Sequence, residues 1–291
     1  MPMPRDIRVI DLHVNVPTSE HNKEGYDQFR MLLRDRESLE SFSMPAQYLF
    51  KTPPSLGADK KRYVEAIVAE MDKHNIETAL VGVSDSFAHF GVIKDRYADR
   101  FMFSIPIDPN KGVDEIRRVK RMHREHGIKA VSYFAAGSFP QVALNAKEMY
   151  PIYATCCELE IPILANVGVP GPRLPMTTQR VEMIDEICWF FPELTFIMRH
   201  GAQPWVDLAV KLLLKWPNLY YSTSAFAPKH YPKEIIDFAN KRGADKIMYA
   251  GYFPAGLTLD RIFAELEHVP FADSVWPKFL RENAARVFGL A

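Results

Sequence analysis

The sequence predicts a single-domain (β/α)8 TIM barrel, and three observations predict it. Eight short apolar runs, starting near residues 8, 78, 101, 129, 162, 195, 219 and 247, alternate with amphipathic stretches. Each run ends in polar or glycine residues, as strands do when they deliver their ends to a common face. The chain has 291 residues, enough for eight such units plus an insertion. Strand–helix alternation imposes parallel pairing, because each crossover returns the chain to the same end of the sheet. A doubly wound open sheet is the alternative, but no Gly-x-Gly-x-x-Gly follows the first run.

The elements follow in order. Residues 8–12 form a strand that delivers His13 and Asn15, two apart and therefore on one face of an extended segment. Residues 17–57 are polar and irregular, an insertion with a possible helix at 26–36. A long connection of this kind reads equally as a lid over a site or as a dimer contact. Residues 59–74 form a helix with Tyr63, Ile67 and Met71 on one face. Strand 78–83 ends at Ser84-Asp85, strand 100–107 at Asp108-Pro109, and strand 127–133 at Tyr133. Helices at 111–125 and 147–160 follow the third and fourth strands. Strand 161–165 ends at Asn166-Val-Gly, and helix 178–191 leads to strand 194–198, which ends at Arg199-His200-Gly201. Pro204 and Trp205 open a helix through residue 215. Strand 218–222 ends at Thr223-Ser224, helix 232–242 follows, and strand 246–250 ends at Gly251-Tyr252. Helices at 258–267 and 274–285 close the chain.

Bulk composition excludes several classes. Hydrophobic residues make up 47% and charged residues 25%, as in ordinary soluble globular proteins. Lys+Arg and Asp+Glu both total 36, so no nucleic-acid groove or polybasic membrane surface is expected. The three cysteines, Cys156, Cys157 and Cys188, lack metal-ligand spacing and read as reduced thiols of a cytoplasmic protein. No signal-type leader and no membrane span is visible in the sequence.

In a barrel the residues just after each strand meet at one mouth. That gathers His13, Asn15, Asp85, Asp108, Tyr133, Asn166, His200, Ser222, Ser224 and Tyr252. His200 leads, because imidazole is the side chain suited to proton transfer near neutral pH. Arg199 reads either as a grip on a substrate carboxylate or, if His200 faces the mouth, as turned away by period-two alternation into a structural role, which is favoured. Asp85, His89 and Lys94 share one loop that either lines the pocket or is solvated. Ser222 reads as filler, and Lys229-His230-Tyr231 as rim.

The order of several segments resembles the amidohydrolase superfamily. They are His-x-Asn after the first strand, Arg-Phe-x-Phe-x-Ile-Pro-Ile-Asp-Pro (100–109), Gly-Ile-Lys-Ala-Val (127–131) and Leu-Glu-Ile-Pro-Ile-Leu (159–164). His-Gly-Ala-Gln-Pro-Trp (200–205), Thr-Ser-Ala-Phe-Ala-Pro-Lys-His-Tyr-Pro (223–232) and Asn-Ala-Ala-Arg-Val-Phe-Gly-Leu (283–290) complete the set. The nearest branch looks like the amidohydrolase-related group, with aminocarboxymuconate-semialdehyde decarboxylase, aromatic acid decarboxylases and small hydrolases. The resemblance implies a divalent metal held by a strand-one His-x-His pair, a strand-five histidine and a strand-eight aspartate, beside a strand-six histidine. This chain keeps His13 and His200 but has Asn15, Asn166 and Tyr252 at the other three positions. Two amides and a phenol are poor ligands, so no bound divalent metal and no other cofactor is expected. A weak site using His13 with Asp85 or Asp108 is the rival.

The function expected on this footing is a metal-independent hydrolase of a small cyclic or aromatic carbonyl or carboxylate compound, such as a lactone. Pyrone-dicarboxylate lactonases of the superfamily are the metal-free precedent, although they retain the strand-eight aspartate. His200, Tyr252 and Asn166 are the expected catalytic groups, with Asn15 and Asn166 donating to an oxyanion. His13, Asn15, Asp85, Tyr133 and Ser224 are the expected substrate contacts. Decarboxylation by the same barrel is the second choice, with His200 protonating a ring carbon, and a non-catalytic binding barrel the third. The expected partners are a small-molecule substrate and a second copy of the chain.

Overall fold

The computed structural model describes residues 3–17, 30–40, 46, 48–49, 56–57, 59 and 62–290. Of the helix expected at 26–36, residues 26–29 lie outside the described residues and residues 31–35 are not helical; within the insertion a short helix, α1, spans Arg36–Glu40. The strands are β1 Val9–Val14, β2 Ile76–Gly82, β3 Phe101–Pro106, β4 Ala130–Tyr133, β5 Ile163–Asn166, β6 Phe196–Arg199, β7 Leu219–Ser222 and β8 Ile247–Met248. They form one eight-stranded sheet in sequence order, every pair parallel. The seam between first and last strands is closed by Leu12 N–H to Tyr249 O, Asn15 N–H to Phe253 O and Tyr252 N–H to His13 O. The expected barrel is therefore the observed one.

The helices between strands are α2 Tyr63–Lys73, α3 Phe90–Arg96, α4 Val113–His126, α5 Tyr150–Glu158, α6 Met183–Phe190, α7 Val206–Lys215 and α8 Lys233–Phe238. After β8 come α9 Leu259–Leu266 and α10 Asn283–Phe288. Local chemistry fixes their ends. Helix α4 has Asp114 and Glu115 in its first turn and His123, Arg124 and His126 in its last, opposing the helix dipole at both ends. It stops at Gly127, whose φ of 62° suits glycine. Thr258 caps α9 by accepting from Arg261 N–H. The helices expected at 232–242 and 274–285 are interrupted by π-turns at Ala239–Gly243 and Lys278–Glu282. At the first, the Phe238 ring lies over Gly243, where an added Cβ would come within 2.3 Å of it. That close approach explains a glycine inside a helical pattern.

Alternation along the strands builds two cores. Ile10, Leu12, Leu80, Met102, Ala130, Leu164, Ile197 and Met248 fill the barrel, and Ala284, Ala285 and Phe288 of α10 pack on them. The opposite strand faces pack under the helices in the larger cluster. Two residues beyond Leu80, Met102, Ala130, Leu164 and Ile197 the filling ends: Gly82, Ser104, Ser132, Asn166 and Arg199 line a cavity instead. Small residues at three of those positions open the mouth. No helix among the described residues is long and apolar enough to cross a membrane.

Candidate functional site

The cavity at the strand ends measures about 1840 Å³. It is larger than the roughly 300–1,000 Å³ typical of small-ligand pockets. Ala46, Tyr48 and Leu49 of the insertion form part of its wall. The Tyr48 hydroxyl donates to Gly171 O at 2.6 Å, and Arg173 pairs with Asp35 and Glu37, so the insertion is tied to the loop after β5.

His13 reaches the mouth through a bulge. Between Asp11 and Val14, β1 advances three residues while β2 advances two, from Ala79 to Val81. The extra residue breaks the alternation that would hide His13 and re-aims its ring. His200 arrives differently: its φ is 68°, a left-handed conformation that is uncommon away from glycine. Tyr252, with φ 121°, and Ala225, with φ 71°, are in the same region of backbone space and also line the cavity. Such strain costs of the order of 1–3 kcal/mol per residue and persists only where surrounding structure enforces it.

The three rings form a triangle. Centroids are 5.4 Å apart for His13 and His200, 5.0 Å for His13 and Tyr252, and 5.7 Å for His200 and Tyr252. Ser224 Oγ lies 2.9 Å from His200 Nδ1 and fixes the imidazole from behind. Asn166 Oδ1 accepts from Arg199 Nε, which orients the amide and leaves its NH2 free for a second partner.

Of the two readings open for Arg199, the structural one does not hold: the residue lines the cavity. With His200 inward, period-two alternation alone would turn Arg199 away. The structure does the reverse: alternation from buried Ile197 carries Arg199 inward, and the positive φ of His200 brings the next residue in as well. The apolar residue two positions earlier was the available signal.

Burial first, then the Arg199 charge, lowers His13 to a pKa of about 3. His200 is held well below the usual imidazole range by burial, then by Arg199 and His13, with Ser224 opposing. Burial raises the Tyr252 hydroxyl, partly offset by Arg199. Burial lowers the guanidinium itself to about 10, so it stays charged at neutral pH. The ring triangle and the adjoining Arg199 thus contain two neutral imidazoles, a neutral phenol and one cation.

Of the expected site residues, His13, Asn15, Asn166, His200 and Tyr252 converge on the cavity. Ser224 stands behind His200 and does not line it. Two expectations are corrected. Asp85 turns outward to pair with Arg118 and Arg121 of α4, a better environment for a carboxylate than the mouth. Tyr133 is buried behind the wall, donating its hydroxyl to Val142 O at 2.7 Å, and burial raises its pKa. Ser222 is buried filler; Lys229 and His230 lie on the rim. His89 and Lys94 do not line the cavity. Cys156 and Cys188 are buried, with thiol pKa values pushed up, and are unreactive in this state.

A family model described as amidohydrolase matches residues 10–290. Among solved structures, the chain is similar to an uncharacterized TIM-barrel protein from Bordetella bronchiseptica, with 20% identity, a TM-score of 0.73, and coverage of 97% of this chain and 99% of that one. It is also similar to 5-carboxyvanillate decarboxylase from Sphingomonas paucimobilis, with 11% identity, a TM-score of 0.68, and coverage of 98% and 100%. A third is 5-carboxyvanillate decarboxylase from Novosphingobium aromaticivorans, complexed with manganese and 4-hydroxy-3-methoxy-5-nitrobenzoic acid, with 15% identity, a TM-score of 0.66, and coverage of 98% and 97%. No curated protein matches the chain.

These findings correct the expectation that no cofactor is involved. A structural neighbour contains manganese, and this chain brings Glu70, His74 and Asp260 together with ligand atoms within 4.8 Å of one another. Two carboxylates and an imidazole suit a divalent ion. A cation there would clip α2 to α9; none of the three residues lines the cavity. The mouth itself offers imidazoles, amides and a phenol around a guanidinium, with no carboxylate among the described lining residues. That set is a poor cage for a divalent ion. The rival pairing of His13 with Asp85 or Asp108 also fails, because Asp85 is held by arginines and Asp108 caps the Pro109–Lys111 turn.

Proposed function

From the premise that this chain belongs to the amidohydrolase family, matched over residues 10–290, we propose that it is a carbon–carbon lyase releasing carbon dioxide from a small aromatic or dienyl carboxylate. One observation carries this reading: the cavity floor places a guanidinium that has no carboxylate partner among the described residues, Arg199, beside the imidazole of His200, with no acidic side chain among the described lining residues. Such a mouth attracts carboxylates and repels nothing that bears one. The hydrolytic reading recedes, because two of the three structural neighbours named above are decarboxylases.

The step balances simply. The bond between the ring or diene carbon and the carboxylate breaks, and its electron pair stays on that carbon. Carbon dioxide leaves neutral, and the carbon takes a proton from His200, which recovers one from solvent. The resting His200 is neutral, partly because of the Arg199 charge. An anionic substrate beside Arg199 cancels that part and lets the imidazole carry the proton it delivers. Ser224 holds the imidazole orientation. Tyr252 and the free NH2 of Asn166 hydrogen-bond oxygen as charge develops. The insertion, through Tyr48 and Leu49, serves as a lid that excludes water from the carbon awaiting the proton.

The test is a panel of aromatic and dienyl carboxylates incubated with the protein in D2O. Carbon dioxide release, with one deuterium at the vacated carbon and loss of both in His200→Asn, is expected. Hydrolysis of cyclic esters without carbon dioxide release from any acid would refute the lyase.

A further inference from the structure

Three charged side chains line the cavity among the described residues: Arg199, Lys229 and Arg261. The last two lie on the rim and share one carboxylate, Glu265, at 3.9 and 2.9 Å. Arg199 differs. It sits on the floor, spends Nε on a neutral amide, and faces no carboxylate among the described residues. A desolvated cation without a counter-ion costs several kcal/mol. Its two terminal nitrogens form a planar fork that fits an anionic oxygen or a carboxylate edge. Ser104 and Ser132, at the same level of the barrel, leave the space before it open.

Decarboxylation restricts what that anion is. A carboxylate locked in an ion pair is stabilised in the ground state, yet it must leave as neutral carbon dioxide, so gripping it works against the reaction. An oxygen that keeps its charge throughout, or gains charge as the carbon–carbon electrons move, is stabilised at no such cost.

Resting on the lyase reading, we propose that Arg199 is the specificity-determining residue of the mouth and binds an anionic oxygen that the substrate retains. The carboxylate that departs is thereby placed toward His200. A monocarboxylate with no second anionic oxygen binds Arg199 by its only charged group and becomes an inhibitor rather than a substrate.

Titration calorimetry with benzoate, benzamide and isophthalate tests this on wild type, Arg199→Gln and Arg199→Lys. Gln retains a donor toward Asn166, and circular dichroism checks that each variant is folded. Benzoate and isophthalate are expected to bind wild type roughly tenfold or more tightly than Arg199→Gln, from the worth of a charge-assisted pair. Lys restores part of the affinity, and neutral benzamide does not distinguish the proteins. Equal binding of the anions to wild type and Arg199→Gln overturns the proposal. So does turnover by Arg199→Gln at wild-type KM and kcat, which would leave the lyase reading standing. Arginine-dependent anion binding without carbon dioxide release from any acid would sink the lyase reading and keep the anion site.

Discussion

Asp11 provides the sharpest quantitative test. Its side chain is fully buried at the seam, where Oδ1 accepts from His13 N–H and Gly251 N–H, each at 2.8 Å. Oδ2 and the nearby Tyr249 hydroxyl are buried without a hydrogen-bond partner among the described residues. Burial raises the carboxyl from 3.8 to about 6 against the pull of those hydrogen bonds. At 1.36 kcal/mol per pH unit, this difference corresponds to about 3 kcal/mol. The sign follows from the raised value. The contribution is fully present below pH 3.8 and is lost as pH rises through about 6, because the folded state must then hold an unpaired charge. Asp11→Asn keeps the accepting oxygen, removes the charge, and places an NH2 where it can donate to Tyr249. Urea unfolding of both proteins between pH 4 and pH 8 measures the difference. Across that range the variant should gain on wild type by about 2.4 kcal/mol, somewhat more than half of it above pH 5. A difference that stays flat, or that shrinks with pH, would refute the assignment of a strained carboxyl at the seam.

Other outcomes follow from the same geometry. His200→Asn should lower kcat by roughly 10²–10⁴ with little change in urea midpoint, since Asn tolerates the φ of 68°. Gly201→Ala should destabilise by roughly 2–4 kcal/mol. Its φ is 96° and an added Cβ would sit 2.3 Å from the Phe226 ring; Phe226→Ala in the same chain should recover part of the loss on denaturation. Manganese or zinc should raise the Tm of wild type but not of Asp260→Ala, which removes one carboxylate from the cluster between α2 and α9.

The barrel was legible because apolar runs and helical faces repeat with different periods, and each strand begins within three residues of its expected place. Helix ends were less legible: at Ala239–Gly243 a ring packed on a glycine interrupts a continuous amphipathic pattern. Strand-end position brought His13, Asn15, Asn166, His200 and Tyr252 together, which is what a parallel barrel guarantees. It failed at Asp85, where arginines from a helix thirty residues later compete for the carboxylate. It failed at Arg199 because a single residue's φ decides whether two neighbours both face inward. Side-chain partners and backbone strain of that kind depend on distant segments and leave no local pattern. The Glu70–His74–Asp260 cluster has no local signature for the same reason, since Asp260 lies far along the chain from α2.

The seam also has a consequence for how the molecule comes into being. His13 and Tyr252 are linked by Tyr252 N–H to His13 O, so opposite ends of the polypeptide must meet before the ring triangle exists. A ribosome-bound chain that has not yet emitted residue 252 lacks one corner of that triangle, with His13 facing His200 alone. The complete triangle therefore assembles only with the last strand, and contacts this remote in sequence form late and slowly.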